Sequence, residues 1–197
     1  MKLRKLLLSG FVLTLLGTAT VMADDAYETF SGKRLGLFVD GEKSAATAIQ
    51  VDDQTMLPLH AVEGAMQAIV AVDPTYNTVN VYKPNVHLSL FEVVKDTMRP
   101  FGNVSVGKYD FVVFAQVDSL KTSIHSFKVD IVDPFGKVVE SRSKELTEQK
   151  DNFWYTTPTI RLEFKHKGKY MVKFYMKHTK DSEFSLVSQK AIMSLSE

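Results

Sequence analysis

The sequence contains no cysteine among its 197 residues, and this absence excludes several kinds of chemistry. No disulfide can form, no thiolate can act as a nucleophile or metal ligand, and no lipid can be attached to an N-terminal cysteine. The formal net charge is only +1 at pH 7, so the whole chain has no strong bias toward anionic or cationic partners. The fold must therefore be stabilised by an apolar core, and a hydrophobic content of 45% is sufficient for one.

Long hydrophobic runs are also missing after the first 23 residues. Lys2, Arg4 and Lys5 precede a short apolar run that ends with small residues at Val21 and Ala23. This order predicts a secretory signal peptide over residues 1–23, with an uncleaved N-terminal anchor as the alternative. We expect a secreted mature chain of 174 residues, 197 less 23, that is extracellular or associated with the cell wall and has no further membrane anchor.

No catalytic, nucleotide-binding or metal-binding motif occurs in the sequence. The nucleophile elbow, the phosphate loop and the dinucleotide fingerprint are all absent. The five histidines have no metal-ligand spacing, and the acidic turns lack the spacing of a calcium loop. The sequence therefore predicts a noncatalytic protein without a cofactor, although a site assembled only in three dimensions stays possible.

Charge is unevenly distributed along the chain. Residues 24–96 contain five Lys or Arg and eleven Asp or Glu, a balance of −6, whereas residues 97–197 contain sixteen and twelve, a balance of +4. Such a shift in composition indicates a boundary between two modules. Residues 24–34 have no clear period and are expected to form a loose arm.

Residues 35–83 are predicted to form a small α+β module. Residues 35–40 and 43–51 favour two strands joined by an Asp-Gly turn, and residues 69–72 and 78–82 favour two more. Between these pairs, Pro58 suits the start of a helix. Apolar residues then recur at helical spacing and predict a core-facing stripe of Leu59, Val62, Met66 and Ile69.

This order of elements resembles the copper amine oxidase N-terminal-like domain, also called the stalk domain. The resemblance covers residues 35–82 and implies a noncatalytic stalk that carries neither copper nor the oxidase cofactor. The family pattern has Arg, Glu and Gly where this sequence has His60, Gly64 and Gln67. The expected charge pair on the helix is therefore missing, while the apolar pattern and the turns are present.

Residues 104–197 are predicted to form an all-β antiparallel sandwich, and residues 84–103 a linker or edge strand. Six or seven short alternating strands are separated by turn signals, among them Asp133-Pro134-Phe135-Gly136. The Gly168-Lys169-Tyr170 start of a long strand resembles the penultimate strand of immunoglobulin-like domains, and residues 130–139 followed by 167–177 resemble the immunoglobulin-like modules of secreted bacterial proteins. That resemblance implies only an immunoglobulin-like fold.

Two groups of residues are candidates for binding. The first is a basic face on two strands, which would be a continuous anion-binding stripe if those strands paired; it consists of Arg161, Lys165, Lys169, Lys173 and Lys177. A charged outer face that keeps a sandwich soluble explains the same pattern. The second is the aromatic set Phe153, Trp154 and Tyr155, which would contact sugar rings or a protein, or instead pack inward.

These features together predict a secreted binding or structural protein of the cell envelope. A stalk module would present a β-sandwich to an extracellular macromolecule, either an anionic wall polymer or a protein, and nucleic acid is not expected as a natural target. Two alternatives remain open at this stage. One is a small hydrolase with a site near residues 91–101, at the junction of the modules. The other is a protease-inhibitor-like binder that acts through residues 146–152.

Overall fold

Alternating apolar and polar side chains, interrupted by polar turns, make most of this chain β-strand. The computed structural model describes residue 29 and residues 31–39, 41–95 and 97–196. The predicted signal peptide and residues 24–28 of the predicted arm lie outside the described residues. Residues 32–197 group together as one compact unit, and the predicted division of this stretch into modules stays a prediction.

The acidic first part of the chain contains strands and one helix in the part that the structure describes. They are β1 (Lys33–Val39), β2 (Glu42–Val51), β3 (Gln54–Met56), α1 (Leu59–Met66), β4 (Ile69–Asp73) and β5 (Thr78–Tyr82). Strands β1, β2 and β3 form an antiparallel sheet, and β4 and β5 form a separate hairpin. Apart from β3, which the sequence did not predict, these elements follow the order that the sequence predicts.

The rest of the described chain is β-strand and loop. Its strands are β6 (Asn85–Val94), β7 (Thr97–Pro100), β8 (Asn103–Ser105), β9 (Gly107–Asp118), β10 (Ser126–Val132), β11 (Val138–Glu145), β12 (Phe153–Thr156), β13 (Ile160–Phe164), β14 (Gly168–Lys177) and β15 (Phe184–Leu195). Sheet I has the order β12-β9-β6-β7, with β13 also paired to β9. Sheet II has the order β11-β10-β14-β15-β8. The prediction of a mostly β chain is therefore confirmed.

The two sheets pack face to face around an aromatic core. Phe127 of β10 is 1% exposed. Its ring lies 5.5 Å from that of Phe153 and 4.8 Å from that of Tyr155, both on sheet I. At the other end of the sandwich, the rings of Phe164 on sheet I and Tyr170 on sheet II are 4.9 Å apart. Because these contacts join the two sheets, the apolar positions of the alternating strands form one shared core.

Strand β6 corrects the prediction for residues 84–103. The sequence predicted a linker or an edge strand there, but β6 lies inside sheet I, between β9 and β7. The physical reason is that Leu88 and Leu90 point into the core and are 8% and 1% exposed. Strand β8 then crosses to sheet II, so the predicted linker is part of the sandwich.

The turn between β10 and β11 has the geometry that its sequence predicts. The carboxylate of Asp133 accepts hydrogen bonds from the backbone N–H groups of Phe135 and Lys137, both at 2.9 Å. Gly136 has φ +85°, which glycine adopts without steric cost. This turn joins β10 to β11, which pair as an antiparallel hairpin with β11 at the edge of sheet II.

Helix α1 is shorter and more exposed than predicted. It ends at Gln67, whose left-handed φ of 52° stops the helical hydrogen bonding. Ile69, predicted as the last residue of the apolar stripe, instead begins β4 and is 1% exposed, whereas Met66 is 44% exposed. The helix lies against β4 and β15, where the carboxylate of Glu63 accepts a hydrogen bond from the hydroxyl of Ser185. The stripe is thus only partly covered.

Candidate functional site

The predicted basic stripe is divided between the two sheets of the sandwich. Strand β13 pairs with β9 in sheet I, whereas β14 pairs with β10 and β15 in sheet II. Arg161 and Lys165 therefore lie apart from Lys169, Lys173 and Lys177, and the continuous stripe predicted for paired strands is wrong. The reason is the topology of the sandwich, in which strands that are adjacent in sequence cross from one sheet to the other.

The sheet I cations are partly neutralised by acidic neighbours. Arg161 donates two hydrogen bonds to the carboxylate of Asp110, at 2.8 and 2.7 Å. The hydrogen bond and the charge of Arg161 lower the pKa of Asp110, while Asp110 raises the pKa of Arg161. The ammonium of Lys165 lies 3.8 Å from the carboxylate of Glu163. These contacts favour a solvated outer face over an anion site.

Sheet II carries a groove of about 440 Å³ at one end of β14, which we call the lysine groove. Lysines from β10, β11, β14 and the β14–β15 turn converge there. It is lined by His125, Ser126, Lys128, Ser141, Ser143, Lys144, Glu145, Lys177, Lys180 and Phe184. Among the sequence candidates, only Lys177 contributes to it.

The charges in the lysine groove leave three ammonium groups without a carboxylate partner among the described residues. Lys128 is neutralised by Asp130, whose carboxylate is 2.8 Å from its Nζ. Lys144, Lys177 and Lys180 form no such ion pair in that part of the chain, although Glu145 also lines the groove. Because the groove is partly enclosed, these positive charges act on a ligand more strongly than isolated surface lysines would.

Two lysines of the groove lie over aromatic rings. The Nζ of Lys128 lies 4.7 Å from the ring centre of Tyr175 and 5.0 Å from that of Phe184. The Nζ of Lys177 lies 5.6 Å from the same Phe184 ring. Burial raises the pKa of Tyr175, and the nearby Asp130 raises it further. These cation–π contacts favour positions of the two ammonium groups beside the rings.

Polar side chains also line the lysine groove. The Nδ1 atom of His125 is buried and has no hydrogen-bond partner among the described residues. The hydroxyl of Ser141 is already used, since it donates to Asp130 at 2.5 Å, while Ser126 and Ser143 also line the groove. A buried polar atom without a partner costs stability.

Sequence reasoning missed most of the groove because its residues come from distant segments. The sequence did contain one indication of the groove, because Lys128 and Lys177 both occupy outward positions of alternating strands. The register that places Ser126 opposite Lys177 and Lys128 opposite Tyr175 brings them together. That register is set by long-range pairing and is not readable from either strand alone.

The aromatic set is divided between the core and the surface. Phe153 and Tyr155 pack inward against Phe127, and burial raises the pKa of Tyr155. Trp154 points the other way and is 73% exposed. The two uses that the sequence left open, inward packing and outward contact, thus apply to alternate residues of one strand.

The described residues of the two other locations that the sequence suggested contact the sandwich. Residues 91–101 form the β6–β7 hairpin, and Phe101 packs at 5.5 Å against Phe111 of the core. In the segment 146–152, the side chain of Gln149 is hydrogen-bonded to the backbone N–H and C=O of Ile124, at 3.0 and 2.9 Å. This loop is therefore held against the sandwich.

Within the described residues, no group of three or more His, Asp or Glu side chains is arranged to hold a metal ion. No helix in the same part of the chain has the length and apolar character needed to cross a membrane.

Comparisons with known proteins give little information on family. No family model matches the chain, and no curated protein matches it. The resemblance of residues 35–82 to the stalk domain therefore stays a prediction. Among solved structures, the chain is similar to the CARDB domain of a Pyrococcus furiosus protein, described as a complex with di-metal ions. The match covers 58% of this chain and 96% of that one, with 12% identity and a TM-score of 0.36, too low to support an argument about function.

Proposed function

We propose that this protein is a secreted, noncatalytic binding protein of the cell envelope or extracellular space, and that its β-sandwich binds an anionic polymer in the lysine groove. The observation that carries the proposal is the convergence of Lys144, Lys177 and Lys180 in one groove, without carboxylate partners in the described chain. The expected signal peptide supports a location outside the cell.

The arrangement of the chain fits a module that presents the sandwich to a partner. Residues 35–83 have the strand, turn, strand, helix and hairpin order of a stalk-like α+β domain. Strands β6 to β15 form two sheets that are mostly antiparallel and pack face to face, an arrangement that fits an immunoglobulin-like sandwich. The lysine groove lies on the second of these parts, so the binding role belongs to the sandwich.

A polymer is favoured over a small anion because the groove is only partly enclosed and its cations come from several strands. Each exposed ion pair contributes at most about 1 kcal/mol. Useful affinity therefore requires several contacts made at once, as a chain of repeated negative groups would make. The same argument predicts that binding weakens as salt screens the charges.

Charge reversal in the groove tests this proposal. We expect Lys177→Glu with Lys180→Glu to weaken the binding of anionic polymers about tenfold or more, because two favourable pairs become repulsive. The measurement is affinity for immobilised polyphosphate, polyglutamate and polygalacturonate over a range of salt concentrations.

A matched control comes from the far end of the same strand. Lys167→Glu with Lys169→Glu makes the same change in net charge, but Lys169 lies roughly 25 Å from Lys177 along an extended strand. We expect this variant to bind nearly as the wild type does. Equal losses in both double variants would show a general charge effect, and absence of salt-dependent binding to all three polymers would overturn the proposal.

A further inference from the structure

The exposed tryptophan occupies a rigid position at the edge of the sandwich. Trp154 lies on β12 between two inward-facing neighbours, Phe153 and Tyr155, that pack on Phe127. Strand β12 is also paired with β9, with Trp154 opposite Gln116. A large apolar ring held 73% exposed on a fixed strand gains nothing from packing in the free protein, so it is available as a flat binding surface.

A second groove, of about 150 Å³, runs beside this ring. It lies between β12 and the segment that follows β11, and it includes Thr147, Glu148 and Lys150. That segment is held in place by the two hydrogen bonds of Gln149 to Ile124, so the groove is formed before binding. We call it the tryptophan groove.

The tryptophan groove and the lysine groove meet at shared lining residues. Lys144 and Glu145, at the end of β11, line both of them. The Nζ of Lys144 lies 5.8 Å from the ring centre of Tyr155 in the tryptophan groove, and Ser143 beside it lines the lysine groove. One extended ligand that passes around the end of β11 would contact both the aromatic ring and the cluster of ammonium groups.

This juxtaposition specifies the chemistry of the ligand. We propose that the two grooves together bind an acidic polysaccharide, a chain of sugar rings that carry carboxylates. The C–H face of a pyranose ring stacks on the flat face of Trp154, and Lys144, Lys177 and Lys180 bind the acid groups. The hydroxyl of Thr147 and the carboxylates of Glu145 and Glu148 provide partners for sugar hydroxyls. A polyanion without rings would use only the lysines.

This inference rests on the proposed function, because it names the polymer that the anion-binding surface accepts. Its test uses the fact that Trp154 is the single tryptophan of the chain, so tryptophan emission reports on this position alone. The purified protein is titrated with polygalacturonate, with polyphosphate and with a single-stranded oligonucleotide, while emission and affinity are both followed. We expect polygalacturonate to shift the emission to shorter wavelength, because stacking removes water from the ring.

Two variants separate the contributions. We expect Trp154→Ala to weaken polygalacturonate binding about three- to tenfold and to leave polyphosphate binding unchanged. Tyr76→Ala is the matched control, since Tyr76 is an equally exposed aromatic side chain (76%) on the β4–β5 turn. The Lys177→Glu, Lys180→Glu double variant should weaken binding to both polymers.

The outcomes distinguish the two proposals. Equal binding of polyphosphate and polygalacturonate, with no effect of Trp154→Ala on either, would overturn the polysaccharide and leave the anion-binding function standing. Tighter binding of the oligonucleotide, with quenching of Trp154, would overturn it in favour of nucleic acid. If none of the three polymers binds, both proposals fail.

Discussion

The ion pair of Asp110 and Arg161 makes a local prediction about pH. Because Arg161 lowers the pKa of Asp110 in the folded chain, the pair stabilises the fold above the ordinary carboxyl pKa of 3.8 and loses this effect as the pH falls through the lowered value. We expect Arg161→Gln to return the pKa of Asp110 toward 3.8, measured by NMR titration of the carboxyl carbon. In an Asp110→Asn background, Arg161→Gln should not alter the pH dependence of stability at acid pH. If it did alter this dependence, the attribution of the effect to the Asp110–Arg161 pair would be contradicted.

The neighbouring aromatic residues of the sandwich should differ sharply in their contribution to stability. Phe127 is 1% exposed and contacts rings on both sheets, so Phe127→Ala should lower the free energy of unfolding by about 3–5 kcal/mol. Trp154 is 73% exposed, and Trp154→Ala should change the free energy of unfolding by no more than about 0.5 kcal/mol. Urea unfolding followed by far-UV circular dichroism measures both, and a large loss for Trp154→Ala would mean that the ring packs in the core.

At the scale of elements, two glycines should respond to alanine in opposite directions. Gly168 begins β14 with φ +128°, and a Cβ there would lie 3.1 Å from the ring of Pro134 in the β10–β11 turn. We expect Gly168→Ala to cost more than about 1 kcal/mol of unfolding free energy. Gly64 lies in α1, and a Cβ added there would meet no atom within 4 Å, so Gly64→Ala should gain about 0.5–1 kcal/mol. Chemical denaturation of the two variants measures both changes, and equal, small changes would refute both assignments.

The elements themselves were largely readable from the sequence, but their pairing was not. Alternation located β10, β13 and β14, and the Asp133 turn predicted the β10–β11 hairpin, because these signals are local. Sheet membership depends on which apolar faces meet in the core. For this reason Arg161 and Lys177 were grouped on one face, although their strands belong to different sheets. The lysine groove requires four segments to be in register, so its existence could not be predicted from any one of them.

At the scale of the whole molecule, the sandwich should fold without the acidic first part, with reduced stability. Ile69 and Tyr82 pack against the sandwich core, and Ile69 is 1% exposed. We expect a fragment of residues 84–196 to unfold cooperatively with roughly 2–5 kcal/mol less stability than the full chain, as for removal of a large core side chain. Ile69→Ala in the full chain should reproduce much of this loss. A fragment as stable as the full chain would show that the two parts are independent.

The parallel pairing of β8 with β15 affects how the sandwich resists a pulling force. Strand β8 runs parallel to the last strand, β15, with Asn103 beside Met193 and Ser105 beside Leu195. The backbone N–H of Met193 donates to Gly102 O at 2.9 Å, and that of Val106 donates to Leu195 O at 3.2 Å. Tension applied between the chain before Asn103 and the end of β15 would pull the two strands past each other along their axes. Their hydrogen bonds would then bear the force in shear and break together, whereas a hairpin pulled from its open end separates one bond at a time.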